Sequence, residues 1–201
     1  MNEPITRWSR RSGVALMVAC GVMLASCETT PSGSSPAQAD ATSSSGGAHT
    51  AAPGAADGHH ADLINEVGTE LVTADGESVT SSELADNQYV VLYFSAGWCP
   101  PCRRYTPSLV EFHENHSDRG VEVVFVSSDR DADSMAEYMD DADMPWLAVP
   151  YEQIDDSGLK SKYEVRGIPR VVVLDGSNGI VMDSNDVNRN EIPERLAQML
   201  D

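Results

Sequence analysis

The sequence predicts an α/β layer fold: a central mixed β-sheet flanked by helices and preceded by a β-hairpin. Three observations carry that prediction. Two near-continuous apolar runs, YVVLYFSA (89–96) and VEVVFVSSD (121–129), have the length and composition of strands buried on both faces. Helical patterns alternate with them, from Pro101 to about His116 and again over 131–142. Two further strands, RVVVLDGSNGIVMDS, are joined at a Gly-rich turn.

Taken in order, ELVTADGESVTSSEL offers two short extended pieces around Asp75-Gly76, a hairpin signal, and then a Ser-led turn. The 89–96 strand follows. The helix after it carries Pro107, where a kink is expected because proline removes a helical N–H donor. Beyond the 121–129 strand, DADSMAEYMDDA (131–142) is an acidic amphipathic helix, and PWLAVPYE, bounded by two prolines, is read as irregular. DDSGLKSKYEV supplies a short helix, and the strand pair follows. NEIPERLAQML is a closing helix, with Asn190 as its cap and Pro193 in its first turn. After the hairpin the order is β-α-β-α-α-β-β-α.

Ahead of that domain lie two segments of other composition. Residues 1–26 read as a secretion signal. Arg7, Arg10 and Arg11 form a basic front. GVALMVACGVML (13–24) is apolar but shorter than the roughly 20 residues a membrane-spanning helix needs. The stretch ends in LASC, which resembles a bacterial lipobox, so Cys27 is the expected lipid acceptor and first mature residue, and Cys20 leaves with the signal. The alternative is plain cleavage, with Cys27 left as a free thiol that an oxidising compartment would tend to oxidise. Glu28 is not the aspartate that marks inner-membrane retention in some bacterial lipoproteins, which favours the outer membrane. Residues 27–61 are rich in Ser, Gly, Ala, Pro and Thr and cannot bury enough apolar surface to offset their ordering entropy. They read as a flexible tether with a reach on the order of 30 Å, and His49, His59 and His60 read as polar linker residues within it. Residues 62–201, about 140, are enough for one core.

The formal charge is −19, from 13 basic and 32 acidic residues. Removing residues 1–26 takes away three Arg and one Glu and moves it to −21. Nucleic acid is a poor partner for such a surface, because phosphate contacts need Lys and Arg. The acidity speaks to solubility and to repulsion from anionic lipid, and it names no substrate.

The chemistry concentrates in FSAGWCPPCRRYTPSL (94–109). The spacing of Cys99 and Cys102 is open to a redox couple, half a zinc site, or two buried thiols. Zinc is disfavoured. Cys20 and Cys27 have six residues between them rather than two to four, and His113 and His116 lie on the helix after Cys102, from which both could hardly fold back. No metal and no cofactor is expected. Position favours the redox couple: Cys99 follows the central strand at the amino end of the next helix, where free N–H groups and the helix dipole favour a thiolate. Cys102 lies one turn in, within disulfide reach, and Pro100 and Pro101 restrict the loop between the sulfurs. An activated thiolate beside a second thiol is a thiol–disulfide exchange site.

The element order, WCPPC and the later GIPR together resemble the thioredoxin superfamily. Within it, YFSAGWCPPCRRYTPSLVEFH, VEVVFVSSDRDADSMAEYM, MPWLAVPYE and LKSKYEVRGIPRVVVLD are similar to the tryparedoxin and nucleoredoxin branch, over about residues 63–201. The resemblance implies a thioredoxin-like fold, Cys99 as the attacking nucleophile, Cys102 as the resolving thiol, and Pro169 as a cis-proline facing the pair. Trp98, Pro100, Pro101, Ile168 and Pro169 are the docking surround it implies. A proline opening a strand after a tight turn can take cis at modest cost, and its missing N–H lets a partner's backbone lie beside Cys99. Trp98 is expected either as a shield over the disulfide or as a half-buried aromatic, and Trp146 either at the same rim or in the core. The chain departs from ordinary thioredoxins at two places. Their buried acid, six residues before the first cysteine, is here Tyr93, and a phenol with a pKa of about 10 is a poor base at neutral pH. Glu111, Glu164 and Asp129 are candidates for moving the Cys102 proton instead. Arg170, after Pro169, places positive charge near the site, where it could favour an acidic partner or help hold a Cys99 thiolate.

Three functions compete on these grounds. The first is a monomeric, membrane-tethered oxidoreductase that faces the periplasm of a cell envelope and reduces client disulfides or oxidised thiols. Its electrons would come from a membrane thiol carrier. The second is a disulfide oxidant or isomerase, disfavoured because no inserted helical substrate domain is visible. The third is a lipid-anchored binding module on a thioredoxin scaffold, against which the intact CxxC argues.

Overall fold

Burial of the two long apolar runs sets the frame. The computed structural model describes residues 59–201, and in it Tyr89–Ser95 forms strand β3, buried at every position. Helix α1 (Ala61–Val67) and the hairpin β1 (Glu70–Val72) and β2 (Ser78–Thr80) precede it. Helix α2 (Pro100–His116), β4 (Val121–Ser127), α3 (Ala132–Asp141), β5 (Leu147–Ala148), α4 (Leu159–Lys162), β6 (Arg170–Asp175), β7 (Ile180–Asp183) and α5 (Ile192–Leu200) follow. One seven-stranded sheet runs in the order β2-β1-β5-β4-β3-β6-β7. β3 pairs in parallel with β4 and antiparallel with β6, so the sheet is mixed, as expected.

Successive side chains of a strand point to opposite faces, and β3 uses both. Tyr93 lies against Tyr105 of α2, with ring centroids 5.8 Å apart. Its neighbour Phe94 meets Tyr163, just beyond α4, at 6.3 Å. Helix α2 runs from Pro100 to His116 with Pro107 inside it, and it packs beside α5.

Several expectations need correction. The domain boundary at residue 62 falls inside α1, which starts at Ala61, and His59 and His60 are not linker residues. His60 is fully buried: its backbone N–H donates to Gly176 O at 2.8 Å and its Nε2–H to Asn87 O at 3.2 Å. His59 packs so closely on Gly176 that a Cβ there would stand 2.8 Å from its Cγ. Apolar side chains at Leu63, Ile64 and Val67 bury one face of α1. Because Asp175 pairs with Tyr89, this entry point lies at the foot of β3, at the end opposite Ser95. The segment read as irregular contributes β5, whose two residues pair with Val124 and Phe125 and join β4 to the hairpin. Asn190 does not cap the last helix. Asn188 accepts the Asn190 N–H at 3.1 Å, a short 3₁₀ turn follows, and α5 starts after Glu191.

Trp146 belongs to the core and not to the rim of the cysteine pair. It is 1% exposed, and its ring meets Tyr93 edge-on at 6.2 Å and His113 at 5.8 Å. Large buried aromatics of this kind carry much of a domain's packing energy. Trp146→Ala is therefore expected to lower stability by about 3–5 kcal/mol, read as a reduced urea midpoint at unchanged slope.

Candidate active site

Strand β3 leaves the sheet at Ser95, and the chain turns through Ala96, Gly97 and Trp98 into α2. The turn is tight: a Cβ at Gly97 would stand 3.0 Å from Tyr138 Cβ, closer than ordinary packing allows. Cys99 is the N-cap of α2, and prolines fill the next two positions. A helix start normally offers several free N–H donors, but Pro100 and Pro101 have none. The first donor left is that of Cys102, which lies 3.3 Å from Cys99 Sγ. The sequence thus aims the available helix donor at the first cysteine's sulfur.

Cys99 and Cys102 form a disulfide with Cα atoms 5.2 Å apart. Their exposure is unequal, at 4% for Cys99 and 0% for Cys102. Ile168 packs on the pair, and its carbonyl oxygen lies 3.8 Å from Cys99 Sγ. The Ile168–Pro169 peptide is cis, as the resemblance implied. Trp98 is 57% exposed, and its indole N–H donates to Ser128 O at 2.9 Å, which ties the ring to the end of β4. Pro100 is exposed at the lip of the site and Pro101 half-buried.

Beneath Cys102 stand four hydroxyls. Tyr93 Oη and Thr106 Oγ1 are 2.9 Å apart, Ser95 Oγ donates to Tyr93 Oη at 3.0 Å, and Tyr138 Oη is 2.7 Å from Thr106 Oγ1 and 3.2 Å from Ser95 Oγ. Thr106 donates to the Cys102 carbonyl at 3.0 Å. Burial pushes the Tyr93 phenol well above its ordinary value, so it stays protonated. Sequence reasoning missed Ser95, Thr106 and Tyr138. A signal existed for two of them: Ser95 shares Tyr93's face two residues on, and Thr106 follows Cys102 by one helical turn.

The three acids proposed for the Cys102 proton are not equivalent. Glu111 is exposed on α2, and Glu164 is exposed with a loose 3.7 Å contact to Arg166. Asp129 lies beside the turn into α2. Its Oδ1 accepts the Gly97 N–H at 2.9 Å and its Oδ2 the Ser127 hydroxyl at 2.8 Å. It lines a cleft of about 280 Å³ with Trp98, Arg103, Arg130 and Tyr138. Burial holds its carboxyl above the usual carboxylate range, against the two hydrogen bonds.

Arg170 does not offer its charge to the cysteines. Its guanidinium is buried, 2.7 Å from Asp183 Oδ2, and donates to Tyr163 O at 3.0 Å. Asp183 arrives on β7, the strand beside β6, so only the sheet pairing reveals this partner. A second cleft beside Pro169 is lined by Glu164, Arg166, Arg170, Ser184 and Arg189.

A family model described as Thioredoxin-like matches residues 87–181. Over 114 residues the chain is 42% identical to nucleoredoxin of Bos taurus, covering 55% of this chain and 26% of that protein. It therefore spans about a quarter of the length of that relative. It is 37% identical over 116 residues to tryparedoxin of Trypanosoma brucei brucei, covering 57% of this chain and 78% of that one. Native tryparedoxin I from Crithidia fasciculata superposes with a TM-score of 0.57 at 36% identity, covering 66% of this chain and 90% of the other.

Because folding raises the Asp129 pKa, the folded chain holds that proton more tightly than the unfolded one. The resulting penalty is absent below the unfolded value of 3.8 and develops as pH rises through the raised value. Asp129→Asn is expected to gain stability relative to the parent at pH 7 and to lose that advantage at pH 3, measured by urea unfolding at both pH values.

Proposed function

The chain belongs to the thioredoxin-like family, in the branch of nucleoredoxins and tryparedoxins, and from that premise we propose that it is a protein-disulfide reductase tethered to a membrane outside the cytoplasm. The observation that carries the chemistry is the Cys102 N–H on Cys99 Sγ, at the amino end of a helix whose two preceding donors are removed by proline. That donor and the helix dipole favour a Cys99 thiolate once the pair is reduced.

The Cys99 thiolate attacks one sulfur of a client disulfide. The client S–S bond breaks, a Cys99–client bond forms, and the departing client sulfur takes a proton from solvent. Cys102, fully buried behind Cys99, then gives up its proton to water and attacks Cys99 Sγ. The mixed disulfide breaks and the second client sulfur leaves and is protonated. Two electrons have passed from the protein dithiol to the client, and the Cys99–Cys102 disulfide is the oxidised product. A membrane thiol carrier is the proposed donor that returns two electrons to it. Clients reach Cys99 past Ile168 and Pro169, whose missing N–H leaves that edge open to a client backbone.

The tether and its compartment are supported by the LASC sequence, the basic and apolar leader, and the Ser/Gly/Ala/Pro-rich stretch after Cys27. All of these lie outside the described residues. A periplasm-facing lipoprotein, with the outer membrane favoured, is the proposed setting.

Cys99→Ser is expected to abolish reduction of insulin disulfides. Cys102→Ser should accumulate Cys99-linked client adducts, and alkylation at mildly acidic pH should label Cys99 first. Equal labelling of both thiols, or turnover remaining in Cys99→Ser, would refute the reductase mechanism. Cys27→Ala should abolish fatty-acid labelling in cells, and unchanged labelling would refute the anchor.

A further inference from the structure

The domain is strongly acidic, yet several of its free positive charges line the clefts beside the redox pair. Residues 59–201 hold 10 basic and 28 acidic side chains. Arg119, Lys162, Arg170 and Arg195 are each within 2.8 Å of a carboxylate oxygen. Arg103, Arg104, Arg130, Lys160 and Arg189 make no ion pair among the described residues, and Arg166 has only its exposed 3.7 Å contact. Arg103 and Arg130 line the cleft beside Trp98, and Arg166 and Arg189 line the cleft beside Pro169. Arg104 adjoins Arg103 on α2. Four of these six cations therefore line the two clefts beside the redox pair, two on each side.

We propose that this face recognises acidic protein segments: carboxylates flanking the client's disulfide are met by Arg166 and Arg189 beside Pro169. The proposal rests on the reductase reading and names its client class. The two sides are unequal. On the Trp98 side Arg103 and Arg130 face three carboxylates, Asp129, Glu137 and Asp141, so that cleft does not select for negative charge. On the Pro169 side Glu164 is the acid that opposes Arg166 and Arg189, since Arg170 is engaged by Asp183. Opposite charge placed around the site raises encounter rates and fixes register, and arginine pairs with carboxylates in bidentate geometry. An anionic lipid surface is the less suited occupant, because a broad surface meets the surrounding acidic side chains as well, whereas a short acidic segment can meet the arginine cleft alone.

The test uses the full-length chain, chemically reduced. Two peptides with one internal disulfide are compared, identical except for Asp or Lys at the positions flanking the cysteines. Thiol release is followed at low and high salt. The acidic peptide should react at least about fivefold faster at low salt, and the ratio should fall toward one in about 0.5 M salt. Arg166→Gln with Arg189→Gln should lower the low-salt ratio toward one. Arg195→Gln, on α5 and paired with Glu191, should keep it. If the double variant fails to fold, the salt dependence of the unaltered chain still decides. Equal rates with both peptides at low salt would overturn the acidic preference while leaving the reductase reading intact. Failure to reduce either peptide or the neutral hydroxyethyl disulfide would overturn the reductase reading, and this proposal with it.

Discussion

Burial of β3 on both faces is the constraint on which the rest depends. A strand with no solvent face cannot carry an unpaired charge, because desolvating a carboxylate costs several kcal/mol. Its side chains are therefore apolar, or hydroxyls that find partners locally. The strand also needs cover on each side, supplied by α2 against Tyr93 and by the α4 segment against Phe94. Since α2 follows β3 after a short turn, Cys99 falls at the start of a helix, with the end of a rigid strand directly behind it. The reactive position is thus a by-product of how a buried strand leaves a sheet.

The same constraint shapes what lies under Cys102. Four hydroxyls from β3, α2 and α3 satisfy one another there, with no carboxylate among them. The arrangement is electrically neutral and anchored to the Cys102 carbonyl, so it fixes the second cysteine without adding charge. The acid nearest the turn, Asp129, sits at the margin instead, where a backbone N–H and a serine hydroxyl compensate part of its burial.

The sequence made the frame legible wherever a period or a punctuation mark existed. The runs at 89–96 and 121–129 announced buried strands, the Gly-rich turn announced β6 and β7, and the helical pattern from Pro101 placed Cys99 at a helix start. The failures have physical causes. A two-residue strand such as β5 has no period. α1 begins after a polar, low-complexity stretch, with His60 in a left-handed conformation at its N-cap and no side-chain cap, so no start signal marks it. Arg170 looked like free charge because its partner comes from the neighbouring strand, 13 residues on, and strand register is not a local property. Trp146 was open between rim and core for the same reason. At the site the two cysteines could be named from spacing and position, and the proline beside them from the family resemblance. The hydroxyl cluster could not, because it assembles from three separate elements.

The chain enters the domain at the foot of the sheet, where the His60 N–H meets Gly176 O and both histidines crowd the β6–β7 turn. The disulfide lies past the other end of the same strands. The contacts that fasten the start of the domain and the contacts that build the redox site thus share no residue: His60 is held by Gly176 and Asn87, and Cys99 by Cys102 and Ile168. One buried strand separates them, so a change at the histidine clasp reaches the cysteines only through the sheet itself.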